Sequence, residues 1–235
     1  MKILRNVKNI TFGALLLLLL LCSIMLFIKI RNINRYNARM AESKMAEHLS
    51  KNYERDAFLV EARGNCILSE QSAIGLSDVR WSGANESKNL PPLDLKKALA
   101  SNRFIEVHEA SNGVTLIRWA GVSDYILQKK LPEVRFNDNM SRYAPAYAIS
   151  KLWYSDSMRN ELRDGGVKYI GPGIGLFSIA PKTAQHLDGQ VNNVSVEDLL
   201  LKVASTFGGV IFYSECPRLG GIDFRVNYYY PKNWR

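Results

Sequence analysis

Three histidines and three cysteines are all that a chain of 235 residues offers for soft-metal or thiolate chemistry. The spacings such chemistry uses are missing too: there is no H-E-x-x-H, no C-x-x-C, no G-x-S-x-G and no S-x-x-K. No acidic residue precedes Glu42, and no charge of either sign falls between Asn9 and Ile28. With 8 prolines and 16 glycines the chain is neither collagen-like nor a low-complexity linker. Hydrophobic residues make up 47% and charged residues 23%, so most of the chain is expected to fold.

The formal charge of +9 would suit a nucleic-acid binder, but its position argues otherwise. Residues 1 to 44 carry eight Lys or Arg against Glu42 alone, leaving 23 basic and 21 acidic side chains for the rest. The excess flanks the hydrophobic run, where anionic headgroups would favour it, and the remainder is nearly neutral. No phosphate-tracking patch emerges, and no nucleic-acid partner is expected.

The uncharged run is bracketed by Lys8 and Lys29 and holds seven consecutive leucines, Leu15 to Leu21. As a helix rising 1.5 Å per residue it would span about 30 Å, the thickness of a bilayer's hydrocarbon core. A cleaved secretory signal would have a shorter apolar run followed closely by a small-x-small site. Here Lys29, Arg31 and Arg35 follow instead, and the nearest such pattern, Ala41-Glu42-Ser43, lies well downstream. Lipid attachment at Cys22 is disfavoured by Leu21 before it. We therefore expect a single-pass anchor. Basic residues nearly balance across it, so orientation rests on a weaker argument. Cys66 and Cys216 stand near opposite ends of the remaining chain. They could close a long loop as a disulfide in an oxidising compartment, or be two unrelated buried thiols. The expectation is an extracytoplasmic domain on the inner (cytoplasmic) membrane.

The chain divides into a short tail (1–8), a transmembrane helix (9–30), a helical stalk (31–65) and two α+β units (66–130 and 131–235). In the first unit Leu95 to Ala100 reads as a helix capped by Asp94. Phe104 to His108 and Val114 to Trp119 read as a hairpin around Asn112-Gly113. In the second, Val134 to Phe136 reads as extended and Pro145 to Arg163 as one long helix. Val167 to Ile170 and Leu176 to Ala180 read as strands joined by a glycine-rich loop. No helix follows those glycines, so they form a hairpin loop rather than a phosphate cradle. Ser195 and Asp198 form a capping box before the apolar face Val196, Leu199, Leu200, Val203 and Phe207. Strands Val210 to Tyr213 and Ile222 to Tyr228 complete an α+β fold of short helices on small, mostly antiparallel sheets.

The stretch from Val191 through Val194-Ser-Val-Glu-Asp-Leu-Leu200, followed by glycines and Val210-Ile-Phe-Tyr213, resembles the short N-terminal domain of secretins and TonB-dependent receptors. The segment Leu93 to Leu99 with its hairpin looks like a looser copy. The resemblance implies a protein-binding module of a bacterial envelope assembly. The membrane anchor, and a length too short for an outer-membrane barrel, depart from those families.

His48, His108 and His186 sit in unrelated contexts. His108, between Glu106 and Glu109, could bind a metal or simply be a solvated strand position. A Cys–His pair from Cys66 or Cys216 with His108 or His186 has no supporting motif. No residue earns a catalytic, metal-binding or cofactor-binding role, and no cofactor is expected. Tyr228, Tyr229, Tyr230 and Trp234 form either an aromatic docking surface or an edge strand with alternate tyrosines packed inward. The partners expected are the lipid bilayer and another protein or a second copy of the chain. The alternatives are an anchored enzyme with a site assembled from scattered residues, and a small-ligand or glycan-binding module.

Overall fold

The computed structural model describes residues 17–30, 49, 57–63, 105–110, 112–119, 125–162, 166–169, 185–218, 221–231 and 234. Two compact units divide the chain, Met1–Met40 and Ala41–Arg235. In the first, residues 17–30 form a helix.

The second unit is an α+β domain built on a six-stranded mixed sheet in the order β2-β3-β1-β7-β8-β5. Its strands are β1 (Ala57–Arg63), β2 (Ile105–Glu109), β3 (Val114–Trp119), β5 (Val167–Tyr169), β7 (Gly209–Arg218) and β8 (Gly221–Tyr229). Two further strands, β4 (Lys130–Arg135) and β6 (Gln190–Ser195), pair antiparallel as a separate ribbon. The helices described over their full length in this unit are α1 (Asn139–Tyr143), α2 (Pro145–Trp153), α3 (Asp156–Leu162) and α4 (Val196–Phe207).

β1 corrects the expected helical stalk. Residues 57–63, expected at its end, form a strand at the centre of the sheet, parallel to both β3 and β7. The reason is burial on both faces: Phe58 and Val60 face one core cluster, Ala57 and Leu59 the other. Such a strand reads as a continuous apolar run without the period-two alternation that betrays a half-exposed one. The expectation of mostly antiparallel sheets is corrected with it. In the main sheet β1·β3, β1·β7 and β5·β8 are parallel; only β2·β3 and β7·β8 are antiparallel. Nor does a boundary at 130/131 separate two sheets, because β2 and β3 share one with β7 and β8.

Local signals otherwise act as physics dictates. Gly113 turns the β2–β3 hairpin at φ +77°, its N–H donating to the Ala110 carbonyl at 3.0 Å. The Ser195 hydroxyl accepts from the Asp198 N–H at 3.0 Å and starts α4. The Val196 and Glu197 N–H groups donate to the Lys129 and Leu127 carbonyls, so the first turn of α4 is satisfied. The long helix expected over 145–163 is two helices. Ser155 divides them, donating its hydroxyl proton to the Leu152 carbonyl at 2.7 Å and accepting from the Met158 N–H at 3.2 Å.

Helices α2 and α4 pack on one face of the sheet. Leu199, Leu200, Val203 and Phe207 of α4, and Ala148, Ile149 and Leu152 of α2, join Leu59, Leu116, Ile211, Phe224 and Val226 of the sheet in one core. Leu131 and Val134 bring the β4–β6 ribbon into it. On the opposite face Phe58, Val60, Ile117, Trp119, Val210 and Phe212 form a second cluster that includes Leu49.

Candidate functional site

Apolar exposure is concentrated in one place. Within helix 17–30, eleven large apolar side chains from Leu17 to Ile30 are about half exposed or more, Met25 reaching 74%. Among the described residues of the folded domain only Tyr125 and Tyr154 are large hydrophobics left comparably open. The one hydroxyl in that helix is satisfied internally: Ser23 Oγ donates to the Leu19 carbonyl at 2.9 Å. Among the described residues no helix is long and apolar enough to cross a membrane. Residues 17–30 measure about 21 Å at 1.5 Å per residue. Residues 9–16, which begin the uncharged run, lie outside the described part, as do all stalk residues between 31 and 56 except Leu49. Leu49 is helical and fully buried in the second cluster.

A buried polar cluster occupies the carboxyl ends of the three parallel strands. β1 stands between β3 and β7, and its register sets Glu61 opposite Arg118 on one side and Tyr213 on the other. Glu61 is wholly buried and accepts a hydrogen bond from Arg118 Nε. Arg118 Nη2 also reaches Glu197 Oε1 in the first turn of α4 at 3.3 Å. Two residues beyond Tyr213 on β7, Glu215 is 5% exposed. Its Oε1 accepts from the Tyr213 hydroxyl and from the Ile126 N–H, the latter at 3.0 Å. Burial of these groups is supportable because each has charged or hydrogen-bonding company. The next described strand after β1 is the edge strand β2, which turns back into β3 on one side of β1, and after β7 the chain turns into β8 on the other side.

Sequence reasoning passed over this cluster. Its signal is positional: Leu59 and Glu61, and Ile211, Tyr213 and Glu215, share parity on their strands, so the core face continues into acids. That parity is legible only once β1 is recognised as a strand.

The residues singled out from the sequence fall elsewhere. His108 Nε2 lies 3.3 Å from Glu106 Oε2, both exposed on the edge strand β2. β3 and β1 separate it from β7, about 14 Å at 4.8 Å per strand, which removes a His108–Cys216 nucleophile pair. Cys216 is placed by its backbone in β7 opposite Asp223, while Cys66, His48 and the loop 171–175 lie outside the described residues. His186 stacks near Tyr143, ring centroids 5.1 Å apart. Among the described residues no group of three metal-ligating side chains forms.

The C-terminal aromatics divide between faces. Tyr228 packs with the helix-side core and donates its hydroxyl proton to the Gly208 carbonyl at 2.7 Å, whereas Tyr229 meets Phe212 edge-on at 5.6 Å in the opposite cluster. Tyr230 bridges Tyr228 and Trp234 at 5.0 and 5.3 Å, and Trp234 closes on Phe207 at 6.0 Å. Burial, aided by Tyr230, pushes the Tyr228 hydroxyl pKa well above its usual value. All four are half-buried. Tyr228 and Trp234 meet the C-terminal end of α4, at Gly208 and Phe207.

No protein-family model, no curated protein and no solved structure matches this chain.

Proposed function

We propose that this is a single-pass protein of the inner membrane, anchored by the helix of residues 9–30. Its α+β domain lies outside the cytoplasm and binds another protein of a bacterial envelope assembly. The observation that carries the anchor is the contrast in apolar exposure. Among the described residues the domain leaves only Tyr125 and Tyr154 open of its large hydrophobics, and helix 17–30 leaves every one of its own open. Each such side chain gains roughly 1.5–3 kcal/mol on leaving water, so the segment requires an apolar surround. A bilayer supplies it along the whole length of the uncharged run. Ser23, bonded back to Leu19, brings no unsatisfied hydroxyl into the hydrocarbon.

Support for the binding role is of two kinds. The segment similar to secretin and TonB-dependent-receptor N-terminal domains has α4 and β7 where that pattern calls for a helix and a strand. The half-buried Tyr228, Tyr230 and Trp234 present rigid aromatic area of the sort that anchors interfaces. Mild crosslinking in intact cells followed by purification of the tagged full chain tests the role. A defined higher-mass adduct is expected, with its yield cut by Trp234→Ala. A strictly monomeric product contradicts it.

A second reading, an anchored enzyme or small-ligand binder, is favoured by the buried polar residues Glu61, Arg118, Tyr213 and Glu215 on the adjacent strands β1, β3 and β7. Its discriminating observation is function after Glu215→Gln. Loss of function in a folded variant favours this reading, and retained function favours protein binding.

A further inference from the structure

We propose that β2 is a self-pairing edge, through which two copies of this chain join antiparallel around Val107. The inference stands on the sheet itself and adds a second copy to the partner proposed above. Among the described residues β2 ends the sheet and has a ladder on one side, with β3. The opposite terminal strand, β5, is guarded as edges usually are, by a length of three residues and the exposed Lys168. β2 has five residues, with neither proline nor lysine among them.

The hairpin fixes which backbone groups face outward. Ala110 donates its N–H to the Val114 carbonyl at 2.9 Å, and its own carbonyl accepts from the Gly113 N–H at 3.0 Å. Both groups of Ala110 thus turn toward β3. Antiparallel strands alternate, so His108 and Glu106 turn the same way, while Ile105, Val107 and Glu109 present theirs to the open edge. A two-fold axis beside Val107 sets that residue against itself, and Ile105 of each copy against Glu109 of the other. Each such pair exchanges two N–H···O bonds, about six in all.

The same register matches the charges. Glu106 and His108 share one face of the strand, 64% and 59% exposed. Arg118, the neighbour of Glu106 on β3, is engaged by Glu61 and Glu197. Pairing places Glu106 of each copy opposite His108 of the other, in the non-hydrogen-bonded positions where side chains come closest. Sliding the copies by two residues would instead set Glu106 against Glu106, or His108 against His108. On the other face Val107, packed against the cluster of Phe58 and Phe212, meets its own copy and extends that apolar surface.

Sedimentation equilibrium of the full chain in detergent tests the contact, and a monomer–dimer equilibrium is expected. His108→Glu sets Glu against Glu106 at both symmetry-related positions and should raise the dimer dissociation constant on the order of tenfold. The exchange E106H/H108E puts opposite partners back and should restore it to within about threefold. Val107→Pro removes an outward N–H that β3 does not use, so it should abolish the dimer. If V107P loses its native circular dichroism, the charge exchange decides alone. A wild-type chain that stays monomeric at every accessible concentration overturns the proposal. So does a dimer that H108E leaves unchanged, that the exchange fails to restore, or that persists in folded V107P. A monomeric chain that still gives an adduct with a different protein in cells overturns the self-pairing and leaves the binding role standing.

Discussion

Glu61 of β1 and Arg118 of β3 sit directly opposite one another in parallel register, and the carboxylate is wholly buried while the guanidinium reaches on to Glu197 of α4. The pair ties the centre of the sheet to the first turn of the main helix. Removing one partner strands a charge, which is the costly event. Arg118→Met should therefore destabilise by about 3 kcal/mol, the low end of the buried-pair range because Arg118 is 32% exposed. The double variant E61M/R118M should regain most of that loss. Urea midpoints of the full chain in detergent measure both. A neutral Arg118→Met would show that Glu61 does not depend on it.

Asp138 caps α1 and its Oδ2 lies 2.9 Å from Lys151 Nζ. Partial burial works to raise the carboxyl pKa, but the Lys151 ammonium and the Ser141 N–H outweigh it and hold the group below its usual range. A depressed folded value means stability that is present above the ordinary aspartate pKa and lost as pH falls through the folded one. Asp138→Asn keeps a capping oxygen and loses the charge. The melting-temperature gap between wild type and variant should be constant above about pH 5 and close as pH falls below about 4. A gap that persists at pH 2 contradicts the assignment.

Alkaline behaviour has the opposite sign. Burial, with a smaller push from a neighbouring tyrosine, raises the Tyr169 and Tyr228 hydroxyls. A raised folded value gives stability that is complete below the unfolded pKa, about 10, and lost as pH climbs beyond it. Tyrosinate absorbance should show these two phenols ionising only as the domain unfolds. Y169F/Y228F should flatten the alkaline loss of stability, and an unchanged alkaline limb would contradict it.

Gly209 joins α4 to β7 at φ +79°, and a Cβ there would lie 2.5 Å from the Tyr229 carbonyl oxygen. Strain and backbone contact coincide. Gly209→Ala should cost about 2 kcal/mol or more, measured by denaturant unfolding. Gly113→Ala meets no neighbour and should cost less, through its positive φ alone.

Legibility in the sequence followed the range of the interaction. The α4 cap, its apolar face and the Gly113 hairpin are local events, and Ser195, Asp198 and Asn112-Gly113 announce them. Ser155 divides the expected long helix through two short-range hydrogen bonds that the apolar pattern masks. β1 was hidden because a central parallel strand is apolar on both faces, and charged neighbours made it look like the end of a polar helix. Once β1 was misplaced, the pairing of Glu61 with Arg118 across 57 residues, and with it the buried cluster, could not be read. Antiparallel pairing was overestimated for the same reason, since both central parallel ladders run through β1.

Alkaline carbonate extraction of membranes from cells expressing the full chain tests the central claim most directly. The polypeptide, still beginning ahead of Leu15, should remain in the pellet while a version starting at Ala41 is released. Recovery of intact chain in the wash, or of a natural product trimmed behind Leu21, would contradict it.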